Sequence, residues 1–106
     1  MTDQIAASHI LIMHSESDRS TATRTKLEAV ELINDIKGQL NGGNDFQTLA
    51  IEHSDCPSSK DGGSLGSFGR GAMVPEFDTA AFDLEVNSIS DVVETPFGFH
   101  LIQRMS

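Results

Sequence analysis

The segment from Gly62 to Phe77 reads Gly-Gly-Ser-Leu-Gly-Ser-Phe-Gly-Arg-Gly-Ala-Met-Val-Pro-Glu-Phe. It combines a high density of glycine with three bulky apolar residues, Leu65, Met73 and Phe77. Glycine adopts backbone conformations that other residues avoid, and it leaves room for another group to approach the backbone. Core packing is the alternative for the three apolar residues, but a core segment has little use for so many glycines. The pattern therefore favours a loop beside a small dry pocket.

The segments around this loop alternate between helix and strand patterns. Apolar periodicity predicts a strand over residues 5–13 and a helix over 24–40, then a short helix capped by Asn44 or Asp45. A brief strand over 65–68, a helix starting at Pro75 and strands over 92–94 and 97–105 follow. Residues 14–23 are polar and predict an exposed loop. The order β-α-α-β-α-β-β predicts an α+β fold, with a four-stranded antiparallel sheet surrounded by helices.

Length, charge and cysteine usage limit the possible functions. The 106 residues predict a single domain over residues 1–106. Sixteen acidic against seven basic residues give a net charge of -9, which disfavours nucleic acid and anionic membranes as partners. The only cysteine, Cys56, excludes an internal disulfide. Without a basic start followed by an apolar run, or any apolar stretch of membrane-spanning length, we expect a cytoplasmic protein.

Two histidines and the cysteine are the candidate polar groups. His9 and His100 each lie in an apolar run, on the first and last predicted strands, and they would face each other if those strands pair. A lone histidine in such a run is more often a core residue. Cys56 with His100 could also indicate a thiol hydrolase, and His9, Cys56, His100 and His14 a zinc site. Neither alternative has its usual signature, since no hydrolase motif or close pair of metal ligands is present.

Four segments together resemble the parvulin family of peptidyl-prolyl cis/trans isomerases. They are residues 8–12 (Ser-His-Ile-Leu-Ile), 54–56 (Ser-Asp-Cys), 62–77 and 97–102 (Phe-Gly-Phe-His-Leu-Ile), and the resemblance extends from about Ala7 to Arg104. It implies a four-stranded sheet with helices around it. It also implies which residues form the site. The proline pocket would consist of Leu65, Met73 and Phe77. The polar residues beside it would be His9, Cys56, Thr95 and His100.

The chemistry of prolyl isomerisation fits such a set of residues. The barrier of about 18–20 kcal/mol arises from lost amide resonance, and no bond is broken. We therefore expect no metal or cofactor, only a pocket for the ring and polar groups that favour the twisted amide. Because aspartate replaces the cysteine in some parvulins, Cys56 is interpreted as a polar neighbour of the amide and not as a nucleophile. The expected partner is a proline-containing polypeptide, bound by a monomer during protein folding. A client-binding chaperone domain with weak catalysis is the alternative.

One departure from the family pattern concerns phosphate. Some eukaryotic parvulins select a phosphorylated residue before proline, with arginines in the loop after the first strand and a lysine at that strand's end. Here Met13 stands in the lysine position, and the loop reads Ser-Glu-Ser-Asp-Arg over residues 15–19. Glu16 and Asp18 would repel a phosphate, and Arg19 alone forms no cluster. We therefore expect no phosphate requirement.

Overall fold

The computed structural model describes residues 4–17 and 22–106, and its elements follow the predicted order. They are β1 (Gln4–Ile12), α1 (Lys26–Asn41), α2 (Phe46–His53), a 3-10 helix (Pro57–Asp61), β2 (Ser64–Gly69), α3 (Pro75–Asp83), β3 (Val93–Thr95) and β4 (Gly98–Arg104). This arrangement confirms the predicted fold class. The 3-10 helix was not predicted; its first position is Pro57, where a proline costs no hydrogen bond.

The four strands form one antiparallel sheet in the order β2-β1-β4-β3. The first and last strands of the chain are therefore neighbours at its centre. Their register places Leu11 opposite His100 and His9 opposite Ile102. In a strand, successive side chains point to opposite faces, so His9, Leu11 and His100 share one face of the sheet.

The helix ends follow from local sequence signals. Thr25 and Glu28 form a capping box at the start of α1, each side chain satisfying a backbone N–H of the other residue. Asp45 caps α2 by accepting from the backbone N–H of Thr48. At the end of α1, the left-handed glycine is Gly43, with a φ of 98°, since Gly42 has a φ of -82°.

The two faces of the sheet carry separate apolar clusters. On one face, α1 and α2 cover the sheet, and the buried residues are Ile10, Ile12, Ala29, Ile33, Ile36, Phe46, Leu49, Ala50, Phe99 and Leu101. On the other face, α3 packs against a smaller set, namely Ile5, Ala7, Phe68, Phe77, Ala81 and Ile102. We call these the α1/α2 face and the α3 face.

The loop after β1 differs from the prediction in its first part. His14 and Ser17 are buried, whereas the sequence pattern indicated exposure throughout. Two contacts account for the difference. The Ser17 hydroxyl accepts from the backbone N–H of His14 in a local turn, and the His14 ring packs against the distant Phe99, with ring centroids 5.8 Å apart. Asp18 and Arg19, which the phosphate argument used, lie outside the described residues. Across the described parts of the chain, no helix combines the length and apolarity that a membrane span needs.

Candidate active site

A cavity of about 870 Å³ opens on the α3 face of the sheet, beyond the end of the apolar cluster. Residues of three connecting segments contribute to its wall: the segment before α1, the segment before the 3-10 helix and the loop between β2 and α3. Residues of β1, β2, α3 and β4 also contribute. The lining residues are His9, Leu11, Met13, Ala22, Thr23, Arg24, Asp55, Cys56, Pro57, Leu65, Met73, Val74, Phe77, Phe97 and His100. Six of the seven residues singled out in the sequence therefore line one cavity. The seventh, Thr95, lies behind His100.

The two histidines are in direct contact, as their strand pairing predicts. Nδ1 of His9 and Nδ1 of His100 are joined by a hydrogen bond of 3.1 Å, and the rings stack with centroids 5.2 Å apart. Nε2 of His100 is 2.7 Å from the hydroxyl of Thr95, which also accepts from the backbone N–H of Phe97. This chain fixes the orientation of both imidazoles from the β3–β4 turn.

The apolar end of the cavity adjoins the histidines through Phe77. The ring of Phe77 meets His9 and His100 edge to face, with centroids 5.6 Å and 5.3 Å apart. Phe77 is buried, whereas Leu65 and Met73 are half-buried and leave the space between them open. Both also pack against the buried cluster of the α3 face. The three side chains thus form a concave apolar surface against two imidazoles.

Burial keeps both imidazoles neutral. It lowers the pKa of His9 to about 4. Burial, together with the neighbouring His9, lowers the pKa of His100 to about 3. Because desolvation disfavours the charged form of an imidazole, neither ring carries a proton charge at neutral pH. The site therefore offers neutral hydrogen-bonding groups and no imidazolium that would activate a thiol.

Cys56 lines the cavity beside this pair but is not part of the hydrogen-bond chain. It is half-buried and immediately precedes the 3-10 helix. The two ring nitrogens of His100 bond to His9 and to Thr95, and Nε2 of His9 is buried without a hydrogen-bond partner among the described residues, so neither imidazole bonds to the cysteine. A thiol activated by an adjacent base requires such a contact. The geometry gives no support to the thiol hydrolase alternative.

The glycines between residues 62 and 77 are required for two different reasons. At Gly63, a Cβ atom would collide with the carbonyl oxygen of His9, whose backbone N–H donates to the Gly63 carbonyl at 2.9 Å. Gly66 and Gly71 instead have φ values of 69° and 85°, with open space where a Cβ would stand. Gly63 also has a φ of 85°, so both close approach of the backbone and backbone conformation favour glycine there, whereas conformation alone is the reason at the other two positions.

Sequence reasoning missed Arg24 and Asp55, which form part of the cavity wall. Arg24 Nη1 lies 2.6 Å from Asp55 Oδ2 and 2.8 Å from the carbonyl oxygen of Met13. The position of Asp55 next to Cys56 was a usable signal. Nothing in the pattern around Arg24, just before a capped helix, indicates that it turns towards β1.

The residues considered for a zinc site do not come together as a ligand set. In residues 4–17 and 22–106, no three His, Cys, Asp or Glu side chains are arranged to hold a metal ion. His14 in particular packs against Phe99 and is absent from the cavity lining.

Comparisons with known proteins identify the family of this chain. The sequence model of the PPIC-type PPIASE domain matches residues 1–105. The chain is 42% identical over 113 residues to "Peptidyl-prolyl cis-trans isomerase Pin1" of Arabidopsis thaliana, an alignment that covers 96% of this chain and 95% of that protein. It is 44% identical over 108 residues to the pin1 isomerase of Schizosaccharomyces pombe, covering 95% of this chain but 62% of the yeast protein. The chain thus spans about six tenths of that relative.

Solved structures show the same fold. Peptidyl-prolyl isomerase ESS1 from Candida albicans superposes with a TM-score of 0.92 at 34% identity, covering 98% of this chain and 63% of that one. The solution structure of TbPIN1 gives a TM-score of 0.88 at 30% identity, with both chains fully covered. The chain belongs to the PPIC-type, or parvulin, family of peptidyl-prolyl isomerases. Its enzyme class is accordingly peptidyl-prolyl cis/trans isomerase.

Proposed function

We propose that this cavity accelerates rotation about Xaa-Pro bonds in unfolded or extended polypeptides, without covalent attack and without a phosphate on the substrate. The observation that carries the proposal is the apolar surface of Leu65, Met73 and Phe77 packed directly against the His9–His100 pair. The single domain of residues 1–106 is the proposed catalytic unit, acting as a monomer in the cytoplasm.

The apolar surface suits the proline ring of the substrate. Pyrrolidine is a compact apolar group, and an aromatic ring with a flexible thioether can close around it. Half-buried Leu65 and Met73 leave the necessary space, and Phe77 is held by its two edge-to-face contacts. A ring held here brings the bond that precedes it towards the imidazoles and Cys56.

The polar side of the cavity suits the twisted amide. As the C–N bond rotates, conjugation is lost, and the enzyme must bind this state better than either planar form. The His9–His100–Thr95 chain presents oriented, neutral dipoles that do not need to reorganise. Cys56 supplies a further polar group on the same wall.

The charges around the cavity support phosphate independence. Among the described lining residues, Arg24 is the one with a permanent positive charge, and Asp55 neutralises it. Met13 lines the cavity where the resemblance would require a lysine. A phosphate dianion would therefore meet no free cation of the described wall. Several relatives carry the name Pin1, and Pin1-like isomerases are phospho-specific. Phosphate selectivity is therefore the rival outcome.

A peptide comparison tests this function. Cis/trans exchange of Ala-Ser-Pro-Phe, Ala-Glu-Pro-Phe and the phosphoserine twin of the first should be measured by NMR with the wild-type chain. We expect catalysis of the unmodified peptides and no gain with phosphate. A Phe77→Ala variant, checked for folding by circular dichroism, is the control for the site. Turnover of the phosphopeptide alone would contradict the proposal, and binding without any exchange would favour the chaperone alternative.

A further inference from the structure

The Arg24–Asp55 pair lies in the cavity wall and has no part in the rotation step proposed above. Oδ2 of Asp55 accepts from Arg24 Nη1 at 2.6 Å and from the backbone N–H of Met13 at 2.8 Å. The same Nη1 donates to the Met13 carbonyl at 2.8 Å. The two charged side chains thus bind the backbone N–H and C=O of one residue, Met13, which directly follows β1.

Backbone contacts hold the pair in place from three sides. The N–H of Asp55 donates to the carbonyl of Leu11 at 2.7 Å, and the N–H of Ser15 donates to the carbonyl of Arg24 at 2.9 Å. The N–H of Leu11 donates to the hydroxyl of Ser54 at 3.0 Å. These bonds join β1, the segment before α1 and the segment that carries Cys56 into one wall.

The pair also decides the charge of that wall. The side chains are only 30% and 28% exposed, so their charges are screened less than those on the open surface. Both imidazoles are neutral at pH 7, because burial lowers the pKa of each. Within the described lining, one positive and one negative charge therefore cancel. Removing either side chain would leave the other as the dominant charge of the cavity.

We propose that Asp55 and Arg24 determine specificity: by neutralising each other they make the cavity indifferent to the charge of the residue before proline. This inference rests on the proposed function of the site. Asp55 directly precedes Cys56, which we place beside the rotating amide. The carbonyl of that amide belongs to the residue before proline. The side chain of this residue is attached to the Cα atom next to that carbonyl, and we place it beside the pair.

The experiment compares two oppositely charged substrates. The ratio of kcat/KM for Ala-Glu-Pro-Phe to that for Ala-Lys-Pro-Phe is measured for the wild type, Asp55→Asn, Arg24→Met and the double variant. Asparagine can still accept from the N–H of Met13 but leaves Arg24 uncompensated, so the ratio should rise by about three- to tenfold. Arg24→Met leaves Asp55 uncompensated, so the ratio should fall by about the same factor. The double variant should return to within about twofold of the wild type, because both charges are gone.

Matched controls separate charge from structure. Arg24→Lys keeps the positive charge and should keep the wild-type ratio even if it lowers turnover of both peptides. Lys37 and Asp91 form an ion pair of similar length, 2.7 Å, and neither residue lines the cavity. Asp91→Asn has the same change of net charge as Asp55→Asn and should leave the ratio unchanged.

Two results would overturn the inference. If Asp55→Asn and Arg24→Met lower kcat/KM equally for both peptides, the pair only supports the wall and does not set specificity. If Asp91→Asn shifts the ratio as much as Asp55→Asn, the effect comes from net charge and not from this pair. A wild-type chain that catalyses exchange of neither peptide would instead refute the proposed function, and the inference with it.

Discussion

The two faces of the sheet are built from the same strands, but one face is covered by helices and the other borders a cavity. On the α1/α2 face, Ile10, Ile12, Ile33, Ile36 and Leu101 are all completely buried. On the α3 face, the same two central strands present His9, Leu11 and His100 to a cavity. The difference lies in the covering helices: α1 has 16 residues, about 24 Å of helix, whereas α3 has nine, about 14 Å. The candidate active site lies where the short α3 leaves part of the sheet uncovered.

This asymmetry separates stability from function within one small domain. The closed face can supply the burial that holds the fold together, since each fully buried aliphatic side chain contributes about 1.5–3 kcal/mol. The open face keeps its half-buried residues available for a substrate. Substitutions on the two faces should therefore have different signatures, and the following predictions test that separation.

The largest effect is expected on the closed face. Ile33→Ala should lower the free energy of unfolding by about 2–5 kcal/mol, because Ile33 is completely buried between α1 and the sheet. Urea unfolding measures this change, and kcat/KM per folded molecule should stay the same. Met73→Ala is the matched change on the open face. It should cost less than about 1 kcal/mol of stability. If it destabilises as much as Ile33→Ala, Met73 is a core residue and the separation is wrong.

Acid should affect the open face next most strongly, through its neutral histidines. The pKa of His9 is about 4 in the fold against 6.5 as its unperturbed value, so below pH 6.5 the unfolded chain takes up the proton preferentially. This group alone should remove about 3 kcal/mol of stability as the pH falls from 6.5 to 4. His100 extends the loss towards pH 3. The imidazole proton shifts of both residues, followed by NMR, should stay constant between pH 8 and 5. Titration near pH 6.5 would show that the rings are solvated.

The smallest effect concerns the thiol. Cys56→Ala should lower kcat/KM about tenfold, or about 1.4 kcal/mol, whereas Cys56→Asp should keep measurable activity. Both follow if a polar group beside the amide is sufficient and no covalent bond forms. Exchange kinetics by NMR measure both variants. An inactive Cys56→Asp protein, together with a trapped thioester in the wild type, would show nucleophilic catalysis instead.

Most of the fold could be predicted because its signals are local. Asp45 and Pro75 each mark the start of a helix through the chemistry of a single turn, and the apolar spacing of α1 indicates the helix itself. The buried His14 and the 3-10 helix could not be predicted in this way. His14 is buried by packing on Phe99, a contact across 85 positions of sequence that no local pattern records.

The site divides along the same line. The contact between His9 and His100 could be predicted, because it requires only that the first and last strands pair. The Arg24–Asp55 pair joins segments 31 residues apart, neither of which has regular structure at that point. Whether this ion pair forms depends on the path that the two segments take between the regular elements. The alternation or helical spacing of apolar residues gives no information about that path.

Gly63 does not line the cavity, but its close contact with the backbone of His9 links it to a residue that does. Any larger residue at 63 would have to push β1 sideways at the point where it carries an imidazole. The hydrogen-bonded dyad would then be pulled out of alignment with no change in any group that touches a peptide. A substitution at this position is therefore expected to lower turnover, although residue 63 is not among the residues that line the cavity.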